Sequence, residues 1–239
     1  EDEPARVGIS VSDIAGAMPA MYAVTTAHYN SERTGNAEHI RLAMVGSRFQ
    51  FLLYHVTTFF ATRENPQRMW NRHPNLMPYQ AFKTTDGFIV VGVISEGHWE
   101  PFCRAIDREE WLNREEYATF TDRVSNRAEL DHALDNIFAD RTTEEWIDRL
   151  NAEGVPSTPL NTVEDIVNDP HIEATDMITE MEHPDLGTFQ APGNPVNFGD
   201  LETDTTQPPP MLGEHTDEVL AELGYSDEEI ARFQSDEVI

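Results

Sequence analysis

Asp13 is the side chain best placed to do chemistry. A short apolar run, Val7-Gly8-Ile9-Ser10-Val11, reads as a strand, and the small residues Ile14-Ala15-Gly16-Ala17-Met18 read as a helix starting just beyond it. Ser12-Asp13 then falls at the predicted N-cap, where a side-chain oxygen meets unpaired backbone N–H groups and the positive end of the helix dipole. Capping is the plain use of such a carboxylate. Attack on an electrophile is the other, because a free aspartate with a pKa of about 3.9 is ionised at neutral pH without help from a base. Other catalytic spacings are missing: there is no phosphate-binding Gly-x-x-x-x-Gly-Lys loop, no Gly-x-Ser-x-Gly elbow, no Gly-x-Gly-x-x-Gly fingerprint and no Cys or His pair at zinc spacing. His73, His98 and His215 are scattered and read as surface or capping residues. No metal is expected.

Three zones must position these residues. In the first, a nearly uncharged helix from about Ile14 to Asn30 is followed by a Thr34-Gly35 turn and an apolar stretch from Ile40 to Phe60. Met18, Met21, Tyr22, Val24 and Ala27 leave that helix little polar surface, so it is expected to be buried inside a body larger than this zone supplies. Pro19 predicts a kink or a later start. The second zone opens with a hairpin, Tyr79 to Thr84 and Phe88 to Val93 around Thr85-Asp86-Gly87. Helices are expected at Trp99–Ile106, at Asn126–Phe138, and from a Thr142/Glu145 capping box to Gly154. Val155 to Leu160 is too proline-broken for a central strand. Thr162 caps a short helix, and two strands flank Pro184-Asp185-Leu186-Gly187. The third zone holds a Pro-rich linker and two small helices, one capped by Thr216 and one by Ser226 with Glu229.

Composition limits the partners. With 44 acidic against 16 basic side chains the net charge is -28, which argues against nucleic acid or an anionic membrane. Aromatic residues at 9% and apolar residues at 39% suffice for a core, so the acidity is not that of a disordered chain. Lys83 is the only lysine, and the acids are read as dispersed over every helix. That pattern suits a salt-loving source, where molar salt screens self-repulsion. The lone Cys103 points to a reducing, cytoplasmic setting. No signal peptide is read at the start, and no apolar run approaches the roughly 18 residues of a membrane span. The opening Glu1-Asp2-Glu3-Pro4 reads like the middle of something longer.

The order of these segments resembles the class III CoA-transferases, the CaiB/BaiF family. The resemblance rests on Gly8-x-x-x-Ser12-Asp13-x-x-Gly16, Arg33-Thr34-Gly35, Asn71-Arg72-His73-Pro74-Asn75 and Pro78-Tyr79-Gln80-Ala81-Phe82-Lys83. It continues through His98-Trp99-x-x-Phe102-Cys103, Gly154-Val155-Pro156, His183-Pro184-x-x-Gly187, Leu212-Gly213-Glu214-His215-Thr216 and Leu223-Gly224-Tyr225. It implies an α/β fold: part of a Rossmann-like large CoA-binding domain (1–65, its N-terminal half absent), a loop (66–77), a small α+β domain (78–190) and a return segment packing on the large domain (191–239). It further implies that Asp13 is the nucleophile that takes an acyl group from a CoA thioester. Coenzyme A is then substrate, with no resident cofactor.

Backbone donors near Gly16 are candidates for the anhydride oxygens. The 72–75 loop departs from the glycine-rich loop of the formyl-CoA branch, so Arg72, His73 and Asn75 are read as a grip for a second carboxylate, as on succinate or mesaconate. Met44 aligns near the family's active site and is read as packing. The related α-methylacyl-CoA racemases use a glutamate where Ser95 falls, with Glu96 beside it, and remain the alternative enzyme. A non-catalytic subunit or remnant is the other. An interlocked homodimer, or a partner chain carrying the N-terminal half, is expected, and the polypeptide alone is expected to be inactive.

Overall fold

Val11 begins a helix where a strand is predicted. Val11 and Asp13 donate to Ile9 and Ser10 carbonyls, and Ile14 also reaches Ser10, so the chain turns helical a residue or two before the N-cap read from sequence. In this computed structural model, which describes residues 5–196, 199 and 207–239, helix α1 spans Val11–Thr34 with Ser10 as its N-cap. Asp13 therefore sits in the first turn, not at the cap. The predicted strand is not formed: Val11 and Ser12 are helical, and among the described residues the first unit holds no strand for Val7–Ser10 to pair with. Pro19 lies inside α1 and removes one bond to the preceding turn without ending the helix. Gly35, at φ 73°, closes it in the left-handed conformation that glycine adopts without strain.

The chain divides into two units, 1–72 and 73–239. In the first, α1 is followed by α2 (Met44–Gln50) and α3 (Leu53–Thr62), and among the described residues it contains no strand. Met18, Met21, Tyr22 and Val24 are exposed in this chain, which by itself does not supply the larger body in which that helix is expected to be buried. Only Ala15 and Gly16 of α1 are buried. The acids also differ from expectation: α2 and α3 carry none, and residues 5–72 hold seven arginines against the four acids Asp13, Glu32, Glu38 and Glu64. Residues 73–239 carry 37 acids against nine basic side chains.

The second unit is built on the predicted hairpin, β1 (Tyr79–Lys83) and β2 (Phe88–Gly92), in the register Tyr79↔Gly92 to Lys83↔Phe88. Lys83 closes β1 with an exposed side chain. Proline-flanked β3 (Ser157–Pro159) adds an antiparallel edge to β2, the position in a sheet that tolerates proline. Helices α4 (Trp99–Ala105), α5 (Phe120–Ser125), α6 (Arg127–Phe138) and α7 (Thr143–Ala152) contribute to the core, which Met77, Val93, Trp111, Tyr117 and Val155 from the connecting segments help to complete. Phe82 stacks on Phe138 at 4.5 Å, and the Trp146 indole donates to the Phe138 carbonyl at 3.0 Å, so its one polar atom is satisfied in an apolar setting. The Thr142/Glu145 capping box forms as predicted, and Thr162 caps α8 (Val163–Val167) as predicted, in a box that Asp165 completes. Beyond α9 (Pro170–Ala174), the strands β4 (Ile178–His183) and β5 (Gly187–Pro192) form a separate antiparallel pair. Helices α10 (Thr216–Glu222) and α11 (Asp227–Ser235) fall within the second unit's bounds, and the Pro-rich linker lies largely outside the described residues. Thr216 is the first residue of α10, whose N-cap is His215, so the predicted Thr216 cap is corrected; the Ser226/Glu229 box forms as predicted.

Candidate active site

The first turn of α1 determines what Asp13 can do. Its carboxylate is exposed and accepts no hydrogen bond among the described residues. The Asp13 and Ile14 N–H groups are committed to Ser10, whereas the Ser12 N–H makes no such bond among the described residues. A 24-residue helix directs its positive end at this turn, which favours an anion by roughly 0.3 to 1 kcal/mol.

Gly16 lies one turn further on and is buried. A Cβ there would stand 3.3 Å from Met44 Cγ, so the glycine permits close approach of α2 to α1. Met44 is packing, as read from sequence. Inside a helix the Gly16 N–H belongs to the intrahelical ladder, which removes it from the donors available to a reacting oxygen.

The 72–75 loop spans the boundary between the units. Arg72, the last residue of the first unit, is half-buried, and its N–H donates to Met69. His73 begins the second unit, and its ring is tied into a turn: Nδ1 accepts from the Asn75 N–H at 3.2 Å and the Leu76 N–H at 3.0 Å. Two donors on Nδ1 put the ring proton on Nε2. The ring stacks on Tyr79 at 5.3 Å, and the His73 N–H donates to the Tyr79 carbonyl. Asn75 is exposed.

Two arginines that the sequence reading missed hold this loop from behind. Arg127 Nη2 donates to the His73 carbonyl at 2.9 Å. Arg123, fully buried, donates Nε to the Met77 carbonyl at 2.9 Å, Nη1 to the Tyr117 carbonyl at 2.8 Å and Nη2 to Glu96 at 2.5 Å, with its guanidinium over the Trp99 ring. Locally Arg123 looks like one more surface arginine. Its partners lie 6, 27 and 46 residues away, so no short-range pattern marks it. Glu96 also accepts from the Phe120 N–H at 2.7 Å.

Cys103 is buried, and desolvation pushes its thiol up to about 12, far from a nucleophile. Among the described residues no group of three or more His, Cys, Asp or Glu side chains could hold a metal ion. No described helix is long and apolar enough to cross a membrane.

Comparison with known proteins agrees with this architecture. The profile of CoA-transferase family III matches residues 1–216, and the chain belongs to that family. Human succinyl-CoA:glutarate CoA-transferase is 30% identical over 238 residues, which are 99% of this chain and 54% of that protein. Succinyl-CoA:mesaconate CoA-transferase of Haloarcula hispanica is 30% identical over 222 residues, 92% of this chain and 55% of that protein. The crystal structure of a CaiB/BaiF family protein from Brucella suis superposes with a TM-score of 0.75 at 28% identity, covering 93% of this chain and 58% of that one. The chain thus spans about half the length of these relatives.

Proposed function

We propose that this chain carries the nucleophile of a CoA-transferase that moves CoA from an acyl-CoA thioester to a small dicarboxylic acid of the succinate, glutarate or mesaconate type. An Asp13 oxygen attacks the thioester carbonyl, the C–S bond breaks, and CoA leaves as the thiolate with a mixed anhydride behind it. The thiolate then attacks the Asp13 carbonyl carbon, releasing the donor carboxylate and leaving an aspartyl-CoA thioester. The acceptor carboxylate reverses both steps and frees Asp13, so one difficult transfer becomes four easier ones. The Ser12 N–H is the donor proposed for the developing oxyanion.

The observation that carries this reading is the exposed Asp13 carboxylate, without a hydrogen-bond partner among the described residues, in the first turn of a long helix. Relatives named for succinyl-CoA chemistry support the substrate class. The racemase alternative is disfavoured because Ser95 stands where those enzymes carry their assisting glutamate, and the neighbouring Glu96 is engaged by Arg123 and the Phe120 N–H. The heavy excess of acids in residues 73–239 supports work in high salt, and the single free Cys103 fits a reducing compartment.

The test is a transfer assay in molar KCl, pairing succinyl-CoA with mesaconate or glutarate. The polypeptide corresponding to the unmatched part of the Haloarcula hispanica enzyme is co-expressed to complete the relatives' length. Asp13→Asn is expected to abolish transfer with an unchanged circular dichroism spectrum; retained turnover overturns the assignment.

A further inference from the structure

Tyr79 follows the 72–75 loop closely in the chain, yet no step of the proposed reaction uses it. It opens β1 on the face of the sheet turned away from the core, since its alternate neighbours Gln80 and Phe82 are buried. The Val93 N–H donates to the Pro78 carbonyl, the Gly92 N–H to that of Pro156 and the His73 N–H to that of Tyr79. Tyr79 and Gly92 therefore face each other as a non-hydrogen-bonded pair, the closer of the two kinds in an antiparallel ladder.

The ring is held from both sides of its strand. Beyond the free edge of β1, the His73 imidazole lies 5.3 Å from it with only 6° between the planes. That imidazole is itself pinned, because its Nδ1 accepts from the Asn75 and Leu76 N–H groups. Across the ladder, Gly92 leaves the place of a side chain empty: a Cβ there would stand 3.3 Å from Ile94 Cγ2 and 3.6 Å from Tyr79 Cδ2. Tyr79 and Ile94 thus close over bare backbone, the use of a glycine inside a strand.

The hydroxyl is treated differently from that of the core tyrosine in the same unit. Tyr117 is 1% exposed and its hydroxyl donates to Glu129 at 3.0 Å. Tyr79 is 36% exposed, and its hydroxyl makes no hydrogen bond among the described residues. Stacking on His73 keeps that hydroxyl within about a ring's length of the imidazole, so it opens beside the 73–75 loop. An immobilised ring with a free polar tip is organised in advance for a ligand that brings an acceptor. A carboxylate is such an acceptor, and a neutral O–H binds it through a charge-assisted bond. Local donors matter here because residues 73–239 carry 37 acids against nine basic side chains, a field that opposes a dianion.

We propose that the Tyr79 hydroxyl donates a hydrogen bond to the distal carboxylate of the acceptor acid, and so selects dicarboxylates over monocarboxylates. The proposal rests on the transferase reading for its substrate and adds to it a specificity-determining residue that Gly92 and His73 hold in place.

The experiment uses the co-expressed preparation of the transfer assay, with glutarate and butyrate as acceptors. Tyr79→Phe keeps the stack and removes the hydroxyl, so KM for glutarate is expected to rise about tenfold with kcat within about twofold, and KM for butyrate to change little. Gly92→Val, which displaces the ring and keeps the hydroxyl, is expected to raise KM for glutarate alike, with its urea midpoint checking the fold. Tyr225→Phe, at an exposed tyrosine elsewhere in the second unit, should alter neither. Binding is read without turnover in Asp13→Asn, using tyrosine that carries a carbon-13 label at Cζ. The resonance missing from the Tyr79→Phe spectrum is expected to shift with succinate and to stay still with butyrate. That shift in a preparation without transfer activity would count against the transferase reading alone. A Tyr79 resonance indifferent to succinate, or a Tyr79→Phe enzyme whose KM is unchanged or rises equally for both acceptors, overturns the proposal.

Discussion

Asp13 and Arg123 show opposite ways in which a charged side chain can be read. Asp13 is legible from its neighbours, because a carboxylate at the start of a small-residue helix implies its surroundings. Its place differs from the N-cap read from sequence, by the two residues, Val11 and Ser12, that precede it in the helix. Arg123 is illegible because its meaning lies in Met77, Tyr117 and Glu96. Replacing it by Met leaves two buried carbonyls without donors, and about 2 to 4 kcal/mol of stability is expected to be lost in a urea titration. Lys should not rescue it, since a single ammonium cannot reproduce three fixed directions. Arg72, the guanidinium proposed to grip the second carboxylate, is tested by Arg72→Met: KM should rise at least tenfold for a dicarboxylate acceptor and change little for a monocarboxylate. Asp86 gives a pH signature. The Thr143 N–H, then the Thr143 hydroxyl, hold its carboxyl below the ordinary 3.8. A carboxyl lowered by folding contributes stability that is complete above its unfolded value and lost as pH falls through its folded one. The stability gap between the parent chain and Asp86→Asn should therefore close as pH drops below 3.8, measured by denaturant titration at stepped pH.

Elements whose signals are local formed where the sequence put them. The hairpin register follows from alternation on both sides of Thr85-Asp86-Gly87, and the Thr142/Glu145 box places α7 to the residue. Thr142→Ala is expected to cost about 1 kcal/mol, read as a shift in urea midpoint, because the cap hydroxyl accepts from the Glu145 N–H. The predicted strand before Asp13 is not formed, and Val11 is helical instead, since apolar character over five residues does not say whether a strand lies alongside to pair with. The backbone near Gly16 is a candidate for oxyanion donors by residue type, and the structure adds a packing role for the glycine itself, admitting Met44 against α1. β3 lay at the limit of what could be read: its prolines exclude the sheet centre and say nothing of the edge it takes beside β2.

Across the whole molecule, charge and hydrophobicity divide along the same boundary. The apolar composition of residues 11–62 was legible, and the exposure of that face in this chain matches the expectation that a larger body is needed to bury it. The uneven distribution of acids predicts uneven salt dependence. Hydrogen exchange at rising KCl is expected to slow in residues 73–239, where 37 acids repel one another, and to change little in α2 and α3, which have none. Equal responses in both would show that self-repulsion is not what salt relieves.

The exposed lysine that closes β1 gives this chain an unusual bench property. Lys83 is its only lysine and Cys103 its only thiol, one at the surface and one inside. An amine-reactive dye can mark just one side chain, at a known strand end in the second unit, while a thiol reagent finds nothing until that unit opens. Two reagents added to one sample, the dye at a pH that leaves the α-amine of the chain distinguishable from the lysine, would thus tag the surface and report unfolding separately, with no engineered residue.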